Sequence, residues 1–169
     1  LGYLPQEIEL FPATVAENIA RLGDVDMDEV RRVCDLVGIT ELIESLPADF
    51  ETQVGGEGGV MFSGGQKQRI GLARALYGSP AVLLLDEPNS NLDEAGEMQL
   101  MQTLARIRQE GRTTCIMITH KTGLLGLVDK ILMLQQGQVA QFGDRDDVLA
   151  AISRPQHTAQ PQSPVLRTA

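Results

Sequence analysis

An α/β fold with a parallel sheet at its core is what this sequence predicts, on three observations. A short, uninterrupted apolar run at residues 81–85 reads as a strand buried on both faces, and the run at residues 113–119 as a second buried strand. Each follows a stretch with apolar residues at helical spacing: Ile70, Ala73, Leu76 and Tyr77 before the first, and Leu100, Met101, Leu104 and Ile107 before the second. Polar residues capable of chemistry, Asp86-Glu87 and His120, stand at the carboxyl ends of the two runs.

Composition sets the outer limits. The 169 residues fit one domain with a core of its own, and 43% hydrophobic with 22% charged residues excludes wholesale disorder. No apolar run approaches the roughly 20 residues of a membrane helix. Asp plus Glu total 23 against 14 for Lys plus Arg, and the net charge of −9 argues against a broad nucleic-acid surface. Cys34 and Cys115 lie in apolar-periodic segments with no metal-like spacing and no signal peptide ahead of them, so buried, reduced thiols in a cytosolic compartment are expected.

The elements follow in order. Leu1-Gly2-Tyr3-Leu4 reads as the end of a strand already under way, and the first residue is not Met, so the chain is expected to be a piece of something longer. Residues 15–21 form a short helical pattern with Thr14 as N-cap over Glu17, the spacing of a capping box. Residues 26–37 follow, with Val30, Val33, Cys34 and Val37 on one face and Gly38 as the stop, then a short helix at 40–46. Gly55, Gly56, Gly58, Gly59, Gly64 and Gly65 crowd the approach to the helix carrying Ile70, an arrangement suited to binding an anion at a helix N-terminus. Beyond the strand at 81–85, a helix spans 94–109 and Gly111 ends it. Residues 129–134 and 138–142 flank Gln136-Gly137 as a hairpin, and 144–152 make a last helix. From Ser153 onward Pro155, Pro161 and Pro164 among Gln and Ser leave too little apolar surface to fold, so 153–169 is expected to be a disordered tail.

The chemistry concentrates in a few motifs. In Phe62-Ser63-Gly64-Gly65-Gln66 two glycines admit close backbone approach to an anion, the Ser63 hydroxyl adds a donor, and the helix dipole favours negative charge. This run resembles the signature motif of ATP-binding cassette (ABC) ATPases, with Phe62 in place of Leu. Val82-Leu83-Leu84-Leu85-Asp86-Glu87 resembles a Walker B strand, Ser90-Asn91-Leu92-Asp93 the D-loop, His120 the switch histidine, and Gln6 within Leu4-Pro5-Gln6-Glu7 the Q-loop glutamine. Each is weak alone, but their order is that of the family. Glu9-Leu10-Phe11 and Thr14-Val15-Ala16-Glu17-Asn18-Ile19 match the exporter pattern, while Ala75-Leu76-Tyr77-Gly78 and Asp86-Glu87-Pro88-Asn89-Ser90-Asn91-Leu92-Asp93 are most similar to type I secretion permease/ATPases, which export unfolded proteins, and Gly56-Glu57-Gly58-Gly59 fits the same branch.

The resemblance implies a P-loop NTPase fold over residues 1–152, with a helical subdomain at about 15–78 and the N-terminal strands missing, since no Gly-x-x-x-x-Gly-Lys-[Ser/Thr] occurs. It implies ATP and Mg2+ as ligands, Asp86 and Gln6 on the metal, and Glu87, His120 and Gln6 as catalytic groups. Ser63, Gly64, Gly65 and Gln66 would act in trans on a partner's nucleotide, and Asp93 would be the D-loop acid. Further implications are a homodimer, a transmembrane domain upstream, a periplasmic adaptor and outer-membrane channel, a polypeptide cargo, no nucleic acid, and a place on the cytoplasmic face of a bacterial inner membrane. Without the P-loop, the chain as given is expected to bind ATP weakly and to be inactive. The missing strand would lie between the one ending at Thr119 and the one beginning near Ile131, leaving those two unpaired with Ile116, Ile118, Ile131 and Met133 beside a slot. Rival readings are a non-transport ABC ATPase head of DNA repair or chromosome organisation, disfavoured by the absence of heptads and a basic face, and a non-catalytic fragment.

Overall fold

Strand β1 (Gly2–Leu4) pairs in parallel with β4 (Val82–Asp86), and β4 in parallel with β5 (Thr114–Ile118), giving a three-stranded sheet in the order β1-β4-β5. These strands belong to the first of two units in the computed structural model, which describes residues 1–153: Leu1–Leu127, and a second unit beginning at Val128.

Between β1 and β4 the chain makes β2 (Ala13–Thr14), α1 (Val15–Ile19), α2 (Met27–Val37), α3 (Thr40–Glu44), a 3-10 turn at Asp49–Glu51, β3 (Gln53–Val54) and α4 (Gly64–Leu76). β2 and β3 pair antiparallel over two residues. The expected capping box forms: Glu17 N–H donates to Thr14 Oγ1 at 3.1 Å and Thr14 N–H to Glu17 Oε2 at 2.7 Å. Asp26 caps α2, and Gly38 ends it in the left-handed region at φ 68°. Helix α3 stops two residues short of the expected 46. Helix α5 (Glu94–Glu110) follows β4 and ends at Gly111, φ 64°.

One apolar core joins these helices to the sheet, with Leu4, Ile19, Val33, Ile43, Ile70, Leu83 and Leu85 fully enclosed. Helix α4 lies directly against β1. A Cβ built on Gly2 would stand 2.0 Å from the Ala75 carbonyl oxygen, so no other residue fits there. Gly2→Ala is therefore expected to destabilise this unit by about 3 kcal/mol; an unchanged denaturant midpoint would contradict the packing. The carboxyl end of α4 is held by Arg21, whose guanidinium donates to the carbonyls of Arg74, Ala75 and Tyr77 at 3.0, 3.0 and 2.9 Å.

A second clamp secures the segment after β1. The buried Asn18 amide accepts from Phe11 N–H at 2.9 Å and donates to the Phe11 and Thr14 carbonyls, both at 3.0 Å. Arg74 donates to Asn18 Oδ1 and O, both at 2.9 Å, and to the Glu9 carbonyl at 3.0 Å, while its guanidinium stands 5.4 Å from the Phe11 ring centre. Burial pushes the Arg74 pKa down from its usual value.

Three expectations need correction. β4 buries Leu83 and Leu85 but leaves Val82 and Leu84 half-covered. β5 is exposed along most of its length: Ile116 and Ile118 are 51% and 52% accessible, Cys115 is exposed, and Met117 is half-buried against the core. An apolar run states what a strand can be buried against; β5 has one strand neighbour, β4, and little of this unit packs over it. Cys34 is buried, as expected, and burial raises its thiol pKa to about 12. The immediate surroundings of the Cys115 sulfur still raise its pKa to about 11. On α5, Leu100, Leu104 and Ile107 are buried but Met101 is exposed, because one residue past Leu100 turns about 100° off the stripe.

In the second unit, β6 (Lys130–Gln135) and β7 (Gln138–Asp144) form an antiparallel hairpin followed by α6 (Arg145–Ser153). Gln136 and Gly137 have φ of 50° and 75°, the pair of positive values a two-residue type I′ turn requires. β6 and β7 form a two-stranded sheet. Leu132 and Leu134, not Ile131 and Met133, are the exposed apolar residues of β6; the latter two are half-buried. Ser153, expected to open the tail, ends α6, and the remainder of the expected tail lies outside the described residues.

Candidate functional site

Parallel pairing brings the carboxyl ends of β1, β4 and β5 to one edge of the sheet. Leu4 is in register with Leu85, and Asp86 with Ile118, so Gln6, Asp86, Glu87 and His120 all follow or end strands at that edge. Gln6 is exposed in a bend two residues beyond β1, and Asp86 is half-buried at the end of β4.

Glu87 is the focus. Its φ of 47° lies in the left-handed region, so the chain changes course immediately after Asp86, and successive acids need not point to opposite faces as they would along a continuing strand. Such a conformation costs a non-glycine residue about 1–3 kcal/mol and persists only where neighbours hold it. Here Glu87 N–H donates to the Ile118 carbonyl at 2.9 Å, and Ser90 N–H to the Glu87 carbonyl at 3.0 Å. The Glu87 side chain is 14% exposed, and its Oε1 lies 2.7 Å from His120 Nδ1. Its other oxygen, Oε2, is buried with no hydrogen-bond partner among the described residues. His120, by contrast, is 80% exposed. A carboxylate with one oxygen fixed by an imidazole and the other unengaged can orient a water molecule and accept its proton.

The glycine-rich segment divides into two parts. Gly55 and Gly59 serve chain packing, since a Cβ at Gly55 would meet the Leu10 carbonyl oxygen at 2.6 Å and one at Gly59 the Gly55 carbonyl oxygen at 2.6 Å. Ser63, Gly64, Gly65 and Gln66 form the start of α4. Ser63 caps the helix, its Oγ accepting from Gln66 N–H at 3.3 Å while Gln66 Oε1 accepts from Ser63 N–H at 2.9 Å. Ser63 and Gly64 are exposed; Gly65 and Gln66 are half-buried. The two glycines abut the loop after β4: a Cβ on Gly64 would lie 3.3 Å from Asn91 Cβ, and one on Gly65 3.1 Å from the Asn91 carbonyl oxygen. Asp93 ends that loop as the N-cap of α5, accepting from Gly96 N–H at 2.8 Å.

Set against known proteins, the chain has close company. A family profile described as ABC transporter matches residues 1–90. The chain belongs to the ABC transporter family. It is 41% identical over 157 residues to the type I secretion system ATP-binding protein PrsD of Rhizobium meliloti strain 1021, covering 92% of this chain and 27% of that protein. It is 34% identical over 170 residues to the ATP-dependent lipid A-core flippase of Ralstonia nicotianae, covering 95% of this chain and 28% of the flippase. Among solved structures, a bacterial Atm1-family ABC exporter with ATP bound superposes with a TM-score of 0.78 at 34% identity, over 89% of this chain and 26% of the exporter chain. The chain thus spans about a quarter of the length of these ABC relatives, and its α/β architecture is the ABC fold.

Two further residues support the site in roles that the sequence reading does not assign. Asn89, 2% exposed, presents Oδ1 to the Thr119 hydroxyl at 3.4 Å and ties the loop after Glu87 to the residue before His120. Gln68, also 2% exposed, donates through Nε2 to the Pro88 carbonyl at 3.2 Å. Its only sequence signal is position: a polar residue four and eight places before Leu72 and Leu76, on the buried stripe of α4.

Proposed function

We propose that this chain forms part of the ATP-hydrolysing site of an ABC exporter of the type I secretion kind, working as a homodimer on the cytoplasmic face of a bacterial inner membrane. The observation that carries the proposal is the Glu87–His120 contact at the carboxyl edge of the parallel sheet, with Glu87 Oε2 buried and unengaged. The 41% identity to a type I secretion ATP-binding protein supports the polypeptide branch.

Glu87 is the general base. It orients the attacking water through its carboxylate, while His120 holds Oε1 and the left-handed turn at Glu87 sets the carboxylate apart from Asp86. Asp86 and Gln6 are the metal-side donors. Both offer hard oxygens, the donor type that suits Mg2+, which takes few protein ligands beside water and phosphate. When bound, Mg2+ neutralises charge on the phosphates of ATP.

Ser63, Gly64, Gly65 and Gln66, at the accessible N-terminus of α4, complete the partner's nucleotide site, and Asp93 belongs to the D-loop between them. Residues 15–78, the helical block between β1 and β4, form the helical subdomain. A transmembrane domain, a periplasmic adaptor and an outer-membrane channel complete the assembly, with an unfolded polypeptide as cargo and no role for nucleic acid. Among the described residues no helix is long and apolar enough to cross a membrane.

The test is cargo-stimulated hydrolysis by the complete exporter in proteoliposomes. Unfolded polypeptide cargo is expected to raise ATP turnover severalfold and lipid A-core glycolipid to leave it unchanged; stimulation by the glycolipid alone would overturn the polypeptide reading.

A further inference from the structure

We infer that Gln68 is a positioning residue for Glu87, acting from the signature helix α4 through the Pro88 carbonyl. The inference rests on the reading of Glu87 as general base. Gln68 occupies the buried stripe of α4 with Leu72 and Leu76, where packing alone would favour an apolar side chain. Instead the site holds an amide whose Oε1 is buried without a partner, a standing energetic cost. Against that cost it makes one hydrogen bond, from Nε2 to the Pro88 carbonyl at 3.2 Å.

The location of that bond gives it meaning. Pro88 is buried, directly follows Glu87, and has no N–H with which to anchor itself. Other restraints on this loop come from β5 and the residues after it, from α5 and from the loop itself: Glu87 N–H to the Ile118 carbonyl, the Thr119 hydroxyl to Asn89 Oδ1, His120 to Glu87, Glu97 to Asn89, and Ser90 N–H to the Glu87 carbonyl. Among the described residues, the Gln68 amide is the side-chain hydrogen bond reaching residues 87–91 from α4. Removing the donor leaves a buried carbonyl unpaired beside a residue already held at φ 47°, and the loop relaxes by moving Glu87 away from His120. Because α4 also starts at Ser63, the same helix that presents the signature residues sets the angle of the base within its own chain.

The experiment uses the full-length exporter with Gln68→Met, which keeps length and removes the donor, and with Gln68→Leu, which removes the donor with a shorter apolar side chain. Steady-state hydrolysis is expected to show kcat lowered about tenfold or more with KM for ATP within about twofold, and the ATP-bound dimer should accumulate, since binding precedes the impaired step. A kcat within twofold of the parent in both variants, or a loss of the ATP-bound dimer with KM rising in step, would overturn the proposal; the latter pattern means that Gln68 merely supports the helix. If Gln68→Met does not yield folded exporter, Gln68→Leu alone decides. Glu87→Gln run alongside separates the two ideas: normal turnover there removes the base itself, whereas lost turnover there with normal turnover in both Gln68 variants removes this inference only.

Discussion

Glu87→Gln is expected to leave ATP binding by the complete exporter intact and to lower hydrolysis by about 10³-fold, or about 4 kcal/mol of barrier. The substitution preserves shape, so the contact with His120 Nδ1 and the backbone bond from Glu87 N–H to the Ile118 carbonyl survive. What is lost is the basicity of the buried, unengaged Oε2. Single-turnover phosphate release measured beside equilibrium nucleotide binding separates the two quantities. Turnover near that of the parent would refute the role of Glu87.

The second large effect concerns the start of α4. Gly65→Asp is expected to abolish ATP-dependent dimerisation while each chain still binds nucleotide on its own site. Two causes act together: a carboxylate placed at a helix N-terminus occupies the position and repels the charge of a phosphate, and a Cβ there stands 3.1 Å from the Asn91 carbonyl oxygen. Gly65→Ala isolates the second cause, because it adds the Cβ without the charge. Alanine should lower closure modestly and aspartate by about 100-fold or more. Crosslinking of mixed dimers reads the outcome, and unimpaired closure with both copies altered would refute action in trans.

Much of the architecture was legible before any coordinate. The Thr14 and Glu17 spacing, the glycines after α2 and α5, and the Gln136-Gly137 turn are local signals whose physics is complete within a few residues, and each appears as read. The β4 and β5 strands were legible as strands but not as surfaces, because burial depends on what covers a strand, and the sequence of β5 does not contain its cover. The contacts of Gln68 and Asn89 are not legible in the sequence for a related reason: their partners lie 20 and 30 residues away. The left-handed turn at Glu87 was equally hidden, since a residue before proline is ordinarily extended and only the surrounding bonds make the exception stable.

The clamp of Asn18 and Arg74 bears on how far Gln6 can travel. Leu4 is fixed in the sheet, and the Glu9 carbonyl and the Phe11 backbone are fixed to α4 and α1, so Gln6 hangs on a leash of four residues, 5–8, with anchors at both ends. Fully extended chain reaches about 3.5 Å per residue, so a four-residue leash tethered at both ends bounds the travel of Gln6. Gln6 can therefore make excursions of a few ångströms on the nanosecond to microsecond scale of loop motion, but it cannot swing free as a hinged lid does. A larger displacement requires the anchors to move with it, so strain applied at Gln6 from outside would be passed to α1 and α4 as a push on a rigid body instead of being dissipated in slack chain.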